Sequence, residues 1–289
     1  MLKNLFHKMP HMLKNVLSEI LTPEETAKIY SAFDMIGDII IIKVPDCLRL
    51  KKEMIANVIL KNVKQAKSVF AQTSPVHGDY RIRKLEFLAG KNSTVTVHKE
   101  HGCIFKIDVA KTYFSPRLST ERLRIAKMIS DNEVITNMFA GIGTYSIIIA
   151  NMNKTCKIYS IDSNPVAIEL CRINAKLNKV QDRVLPIYGD AKEVINKQIK
   201  CQSNRVLMPL PEKAREFVDS AIWALKENRG TIHYFAHIKA YTKKLSQVYG
   251  AIDTMDAFKN YKHEILSTRV IREIGPRIYQ IVSDVSIGQ

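Results

Sequence analysis

The residues best suited to bind a nucleoside are two glycines and two aspartates that follow strand-like segments. Gly141 and Gly143 stand in the run VITNMFAGIGTYS, between a β-branched segment and an apolar helical one. Glycine permits a tight turn there and lets a ligand approach the backbone at the start of the helix. Asp162 ends the next strand-like segment, where a carboxylate accepts hydrogen bonds from both ribose hydroxyls. Asp190 closes a third segment, at a place suited to an adenine amino group.

This arrangement favours S-adenosylmethionine over a dinucleotide as the cofactor. A dinucleotide needs the third glycine of the GxGxxG pattern to bring the helix close to the pyrophosphate, and Ser146 occupies that position here. The alternative is structural, because Asp162 and Asp190 are also residues that cap following helices.

A second group of residues has the composition of a nucleic-acid surface. The aromatic residues Tyr113 and Phe114 stand near Arg117, and such rings stack on bases while arginines bind phosphates. Glu121 lies among arginines, either as their salt-bridge partner or as a functional carboxylate. Arg81, in HGDYRIR, is either another solvated charge or part of the same site.

The segment after the fourth strand-like run carries two prolines. Pro209 and Pro211 flank Leu210 and make a stiff loop that is poor in hydrogen-bond donors. In a doubly wound methyltransferase this strand end lies beside the reactive methyl group. The alternative is a proline pair that only initiates the helix predicted to start at Glu212.

Alternating elements position these residues from about residue 117 onward. Such alternation predicts an α/β fold with a parallel, doubly wound sheet and a ligand beyond the carboxyl ends of its strands. The predicted strands are Val134–Met138, Lys157–Asp162, Val184–Gly189, Arg205–Met208 and Gly230–Ala236, with helices at Pro165–Leu177 and Glu212–Leu225.

The preceding part of the chain predicts a small α+β domain. Thr22, Pro23 and Glu25 form a capping-box pattern, and residues 37–45 form a β-branched run that ends at a proline. A helix is expected within residues 48–66, with Met54, Val58, Ile59 and Val63 at helical spacing, and strands at 68–72, 81–88, 93–99 and 103–108. The expected domains are an extension at 1–20, the small domain at 21–112 and the α/β domain at 113–289.

The composition indicates what class of protein this is and what kind of partner it binds. The 289 residues are 46% hydrophobic and carry a formal net charge of +16, which favours a polyanionic partner such as nucleic acid. An N-terminal segment interrupted by lysines and a proline, and the lack of a long apolar run, exclude a signal peptide and a membrane span. The five scattered cysteines predict neither a zinc site nor disulfides, and we expect each to be buried. No metal site is expected.

At these residues the sequence resembles the archaeal and eukaryotic tRNA (guanine-37 N1) methyltransferases. The resemblance runs from about Leu21 to the end and rests on the segment 113–124, NMFAGIG at 137–143, IDSNP at 161–165, GDA at 189–191 and the PLP loop. It implies a class I (Rossmann-like) methyltransferase domain preceded by a small α+β domain that helps to hold the anticodon stem-loop of tRNA.

The resemblance also implies roles for individual residues. Glu121 matches the general base that removes the proton displaced by the methyl group, and Arg81 matches the arginine that stabilises negative charge on the guanine oxygen. Tyr113 and Pro211 match residues that frame the target base. The positions that match or adjoin the cofactor contacts are Arg122, Phe139, Gly141, Gly143, Asp162, Ser163, Asp190 and Ala191.

Three departures from the family pattern bear on the substrate or, for Asn137, on the cofactor contacts. Pro209 stands where most members have the asparagine of Asn-Leu-Pro, as in archaeal relatives that methylate carbon 7 of 4-demethylwyosine at the same tRNA position. Asn137 replaces the usual aspartate at a strand end. Only about twenty residues precede the small domain, so we expect the extra N-terminal domain that checks the outer corner of tRNA to be absent or vestigial.

The sequence thus predicts a cytoplasmic, monomeric methyltransferase that acts on position 37 of tRNA(Phe) at carbon 7 of 4-demethylwyosine, at guanine N1, or at both. One alternative is methylation of another RNA, such as ribosomal RNA. The other is an RNA-binding module with a degenerate cofactor pocket, which Asn137 and Pro209 would explain.

Overall fold

The computed structural model describes residues 16–29, 33–76 and 78–288 of the chain, which form two compact units. The first unit contains the described residues up to Glu100 together with Ile104–Pro116. The second contains His101–Cys103 and the rest of the chain from Arg117 onward.

The first unit is built on a mixed four-stranded sheet. Its strands, in the order in which they pair, are β1 (Asp34–Ile36), β2 (Ile39–Ile42), β3 (Ser68–Gln72) and β4 (Leu85–Gly90). The central pair, β2 and β3, is parallel, and the two outer pairs are antiparallel. All four isoleucines of β2 are buried, which confirms the prediction of a buried strand from its β-branched run.

Among its described residues, this unit also contains two complete α-helices and a hairpin. Helix α1 (Pro23–Lys28) has the predicted capping box, in which Thr22 and Glu25 each satisfy the other's backbone N–H. Helix α2 (Lys52–Asn62) buries Ile55, Ala56 and Ile59, whereas Met54 is exposed, so the predicted apolar face was wrong at that position. Strands β5 (Val95–Glu100) and β6 (Cys103–Asp108) pair in a separate two-stranded sheet.

The second unit contains a seven-stranded sheet. The strands are β7 (Val134–Asn137), β8 (Lys157–Asp162), β9 (Val184–Tyr188), β10 (Arg205–Met208), β11 (Gly230–Lys239), β12 (His263–Gly275) and β13 (Ile278–Ile287). They pair in the order β12-β13-β11-β10-β7-β8-β9. The order reverses between β7 and β10, and ligands of open α/β sheets bind beyond the carboxyl ends of the strands at such a point.

The expectation of a purely parallel sheet is corrected by the last two strands. The strands from β7 to β11 are mutually parallel, but β13 lies antiparallel to both β11 and β12. No strand was predicted after residue 236, although β12 and β13 extend the sheet beyond β11. A hairpin needs no crossover helix, so the alternation of strand and helix ends before it.

Six α-helices accompany this sheet. They are α3 (Ser119–Ala126), α4 (Thr144–Met152), α5 (Pro165–Leu177), α6 (Ala191–Val194), α7 (Val218–Ala224) and α8 (Lys243–Ala257). Helix α5 has the predicted bounds. The helix predicted for 212–225 instead begins with a 3-10 turn at Ala214–Phe217, and α7 starts at Val218, so the residues after Pro211 remain a loop.

The prediction that each of the five cysteines is buried was correct for three of them. Cys103, Cys156 and Cys171 are buried, but Cys47 and Cys201 are exposed, because both lie in short polar connections outside the core. Within the described ranges, no three His, Cys, Asp or Glu side chains are placed to share a metal ion. In the same ranges no helix has the length and hydropathy needed to cross a membrane.

Candidate cofactor and RNA-modification site

The glycine turn between β7 and α4 is shaped by its backbone. Gly141 and Gly143 both have positive φ, of 55° and 87°, and Gly143 is the N-cap of α4. A Cβ on Gly143 would lie 2.6 Å from Cys171 Sγ, so α5 packs directly beneath the turn. Burial raises the pKa of the Cys171 thiol to about 12, so this residue packs as a neutral side chain.

We expect Gly143→Ala to lower the free energy of unfolding by about 1–3 kcal/mol, because it adds backbone strain to a steric clash. The measurement is urea unfolding, with Gly102→Ala as the control. Gly102 also has positive φ, of 77°, but the nearest atom to its added Cβ would be 3.9 Å away. Equal losses in the two variants would show that the contact with Cys171 contributes nothing.

Asp162 ties the glycine turn to the end of β8. Its Oδ2 accepts the N–H of Gly141 at 2.7 Å and its Oδ1 accepts the N–H of Asn164 at 2.9 Å. Asn164, not Asp162, caps α5, so the structural alternative for Asp162 was wrong. Burial raises the pKa of the Asp162 carboxyl, while the two backbone N–H groups oppose that rise. An ionised carboxylate has further lone pairs that remain available for ribose hydroxyls.

Asp190 follows β9 and does cap a helix. Its Oδ1 accepts the N–H groups of Lys192 and Glu193 at the start of α6. The structural alternative considered for Asp190 is therefore real, but both bonds use the same oxygen. Asp190 is exposed, and so is Ser163 beside Asp162, whereas Ala191 is buried.

Phe217, which the sequence did not single out, pairs with the predicted cofactor residue Phe139. Phe139 contacts Phe217 edge to face, with ring centroids 5.0 Å apart, and Lys192 Nζ lies 4.7 Å from the Phe217 centroid. Phe217 belongs to the turn that was predicted as regular helix. Its place in the segment after the proline loop was the one signal that could have identified it.

The end of β7 contains a buried polar group with an open acceptor. Asn137 donates to Ser146 Oγ at 3.1 Å, and Ser160 donates to the same oxygen at 2.8 Å. Asn137 Oδ1 is buried and has no hydrogen-bond partner among the described residues. The glycine turn, the carboxylates of Asp162 and Asp190 and this acceptor thus fit a nucleoside cofactor with a polar tail.

The proline loop follows β10 at the point where the strand order reverses. Pro209 is half-buried and Pro211 is buried, and Leu210 donates its N–H back to the Met208 carbonyl at 2.9 Å. The two proline nitrogens have no N–H to offer a substrate.

Glu121 lies on α3, which packs against α4, the helix that begins at the glycine turn. The carboxylate is buried and forms a salt bridge of 2.7 Å with Arg124. Burial raises the pKa of Glu121 despite that salt bridge. Arg122, its neighbour on the helix, is almost fully buried, whereas Arg117 is exposed before the helix.

The remaining candidate residues are found in the first unit. Arg81 has a positive φ of 53° in a turn, so the strand predicted from residue 81 begins only at Leu85. Its guanidinium lies over the ring of Tyr113, 4.0 Å from the centroid. Phe114 is buried and contacts His98 edge to face. The guanidinium of Arg81 is therefore packed against an aromatic ring.

The chain matches two known domain families. The TRM5/TYW2 methyltransferase domain matches residues 96–262, and the TYW2 N-terminal domain matches residues 13–94. The chain is 39% identical to the tRNA (guanine(37)-N(1))-methyltransferase Trm5b of Methanocaldococcus jannaschii, over 89% of this chain and 71% of the relative. It is 35% identical to the tRNA 4-demethylwyosine(37)-methyltransferase Taw21 of Saccharolobus solfataricus, over 91% and 96%.

Another relative carries a different transferase name. The tRNA(Phe) (4-demethylwyosine(37)-C(7)) aminocarboxypropyltransferase of Methanocaldococcus jannaschii is 34% identical, over 84% of this chain and 95% of the relative.

Solved structures that are similar to this chain carry the names of the same two families. The complex of aTrm5 with tRNALeu has a TM-score of 0.82 and 37% identity, covering 96% of this chain and 78% of that one. TYW2 of P. horikoshii, solved with MeSAdo, has a TM-score of 0.76 and 29% identity, covering 96% and 98%.

The sheet order and the family matches show that the chain is a class I methyltransferase that uses S-adenosylmethionine. It belongs to the TRM5/TYW2 methyltransferase family. The resemblance, the α/β fold with its N-terminal domain, and the cofactor class predicted from the sequence are thereby confirmed.

Proposed function

We propose that this protein methylates the base at position 37 of tRNA(Phe), at carbon 7 of 4-demethylwyosine, at guanine N1, or at both. The observation that carries the proposal is a buried carboxylate, Glu121, on the helix that packs against the helix of the glycine turn. A methyltransferase acting on a ring C–H or N–H needs such a proton acceptor. The names of the relatives support the tRNA position.

In this proposal the cofactor lies along the carboxyl ends of the strands. Asp162 accepts hydrogen bonds from the ribose hydroxyls, and Asp190 accepts one from the adenine amino group. Each uses lone pairs that its hydrogen bonds to the backbone leave unoccupied. The other proposed cofactor residues are Gly141, Gly143, Ser163, Ala191, Phe139 and Arg122. Bound S-adenosylmethionine supplies an electrophilic methyl group.

Residues of the chain accept the proton and bind the target base. Glu121 accepts the proton that the acceptor atom loses, and Arg81 stabilises the negative charge on the base oxygen. Tyr113 and Phe114 supply aromatic contact area, and Arg117 binds phosphate. Pro209 and Pro211 border the target base without offering it a hydrogen bond.

Pro209 is proposed to set the acceptor atom. We expect Pro209→Asn to raise the share of guanine N1 product, because an amide there can hydrogen-bond to the base. The measurement is nucleoside mass spectrometry after incubation with two tRNAs, one with guanine and one with 4-demethylwyosine at position 37. Pro276→Asn is the control, since it makes the same substitution at an exposed proline between β12 and β13. A product ratio equal to that of the native chain would exclude Pro209 as the determinant.

A second candidate reaction is aminocarboxypropyl transfer to the same carbon. It is favoured by the match of residues 13–94 to the TYW2 N-terminal domain and by the aminocarboxypropyltransferase among the relatives. The same mass spectrum separates the two reactions, because the transferred group differs in mass. A methyl adduct supports the first proposal and an aminocarboxypropyl adduct the second.

The partner class follows from charge as well as from the family. A net charge of +16 suits a tRNA backbone, and the affinity should therefore fall steeply as salt rises. We propose that the protein acts as a monomer in the cytoplasm and recognises the anticodon stem-loop.

A further inference from the structure

A continuous series of charged and polar side chains extends from Glu121 through the second unit. Successive members are joined by hydrogen bonds of 2.6–2.9 Å, so the series has no gap. Its members, in spatial order, are Glu121, Arg124, Asp284, His233, Arg205 and Glu133. Neither the glycine turn nor the proline loop contributes to it.

The register of the strands places the middle of this series. Asp284 of β13 lies directly opposite His233 of β11 and opposite Ser267 of β12. Ser267 donates to Asp284 Oδ2 at 2.9 Å. The carboxylate therefore cannot rotate without breaking bonds on both sides.

The hydrogen bonds fix the tautomer of His233. Arg205 Nη1, 2.9 Å from His233 Nε2, has only hydrogens to offer, so Nε2 is the acceptor. The ring proton is thus on Nδ1, which donates to Asp284 Oδ1 at 2.6 Å. Complete burial lowers the pKa of His233, in keeping with a neutral ring.

Arg124 is shared between two carboxylates. Its Nη1 and Nη2 donate to Asp284 at 2.6 and 3.0 Å, while Nε and Nη2 donate to Glu121 at 3.0 and 2.7 Å. One guanidinium thereby orients Glu121 but neutralises it only in part. Within this series, the three carboxylates outnumber the two arginines by one charge when Glu121 is ionised, and uptake of a proton by Glu121 removes that excess; the exposed Arg269 lies outside the series.

We propose that Arg124 and Asp284 are positioning residues for methyl transfer, which hold Glu121 in one orientation while leaving it able to accept a proton. The inference rests on the proposed role of Glu121 as the base. The charged groups that act on Glu121 are Arg124 on its own helix, Asp284 on β13 and Arg269 on β12. Of these, Asp284 alone favours the protonated form.

The test is the pH profile of single-turnover methyl transfer by the full chain, with S-adenosylmethionine and tRNA saturating. Asp284→Asn removes the like charge and places an amide N–H₂ against a donor of Arg124 or His233. We expect the acid limb of the profile to move down by about one pH unit. The plateau rate should fall roughly tenfold as Glu121 becomes a weaker and less ordered base, with the Kd for cofactor unchanged.

Asp253→Asn is the matched control. Asp253 is also paired with an arginine in the second unit, Arg215, but it lies outside this series. Its profile should match that of the native chain. Arg124→Lys is the second variant, because lysine keeps the charge but lacks the planar guanidinium that bridges two carboxylates. If Asp284→Asn does not fold, Arg124→Lys alone tests the positioning role. It should lower the plateau rate roughly tenfold.

The outcomes separate this inference from the proposed function. A native pH profile and rate in both Asp284→Asn and Arg124→Lys would overturn the positioning role. If Glu121→Gln itself retained the native rate, the proposed base would be wrong, and the positioning role with it. Loss of activity in Glu121→Gln with a shifted profile in Asp284→Asn supports both.

Discussion

Glu121→Gln is expected to lower the rate of methyl transfer by about 10²- to 10⁴-fold, the usual cost of losing a general base. Glutamine keeps the length of the side chain and its hydrogen bond from Arg124, so binding of cofactor and of tRNA should change little. The measurement is single-turnover transfer under saturating conditions, with binding followed separately. The matched control is Glu169→Gln, at an exposed glutamate of α5 that pairs with Arg172.

The native pH profile gives an independent check on Glu121. A base must be deprotonated to act, and burial raises the pKa of this carboxyl. The rate should therefore begin to fall, as pH is lowered, at a higher pH than for an unperturbed glutamate. That limb should be missing from the residual activity of Glu121→Gln. A variant with the native rate would remove Glu121 from the reaction.

Asp162→Ala is expected to weaken cofactor binding by roughly 10- to 100-fold, as each lost hydrogen bond to a charged group is worth about 1.5–3 kcal/mol. The variant also frees the N–H of Gly141, which Asp162 holds in the turn. Calorimetric titration with S-adenosylmethionine gives the Kd.

Asp182→Ala serves as the control for that titration, because Asp182 is an exposed aspartate that pairs with Arg183 before β9. Its Kd should equal that of the native chain. Asp162→Asn should fall between the two, since an amide oxygen can still accept one of the bonds. An unaltered Kd in Asp162→Ala would place the ribose elsewhere.

The sequence predicted those elements whose boundaries are marked by their own residues. Strand β8 and helix α5 have the predicted bounds, because a strand-like run with two isoleucines and a tyrosine ends at Asp162 and a cap followed by a proline starts the helix. The helix predicted from Glu212 has no such signal, and no side chain caps the turn that forms in its place. It starts late, after a 3-10 turn at Ala214–Phe217.

The loops of the cofactor site could be predicted from the sequence, because the residues of each loop directly follow one strand. The residues around Glu121 could not be predicted in this way. Its partner Arg124 is bound by Asp284, 160 residues further along the chain, on a strand that no periodicity had identified. The tautomer of His233 depends on three strands in register and has no signature in one segment. Long-range pairing of this kind is fixed only by the folded sheet.

The most direct test of the account is to locate the methyl group. The protein is incubated with tRNA(Phe) and S-adenosylmethionine labelled in its methyl group, and the tRNA is digested and its nucleosides separated and identified. Methylation at position 37 would place the label in the nucleoside from that position and in no other. Label in a different nucleoside, or transfer to ribosomal RNA but not to this tRNA, would contradict it.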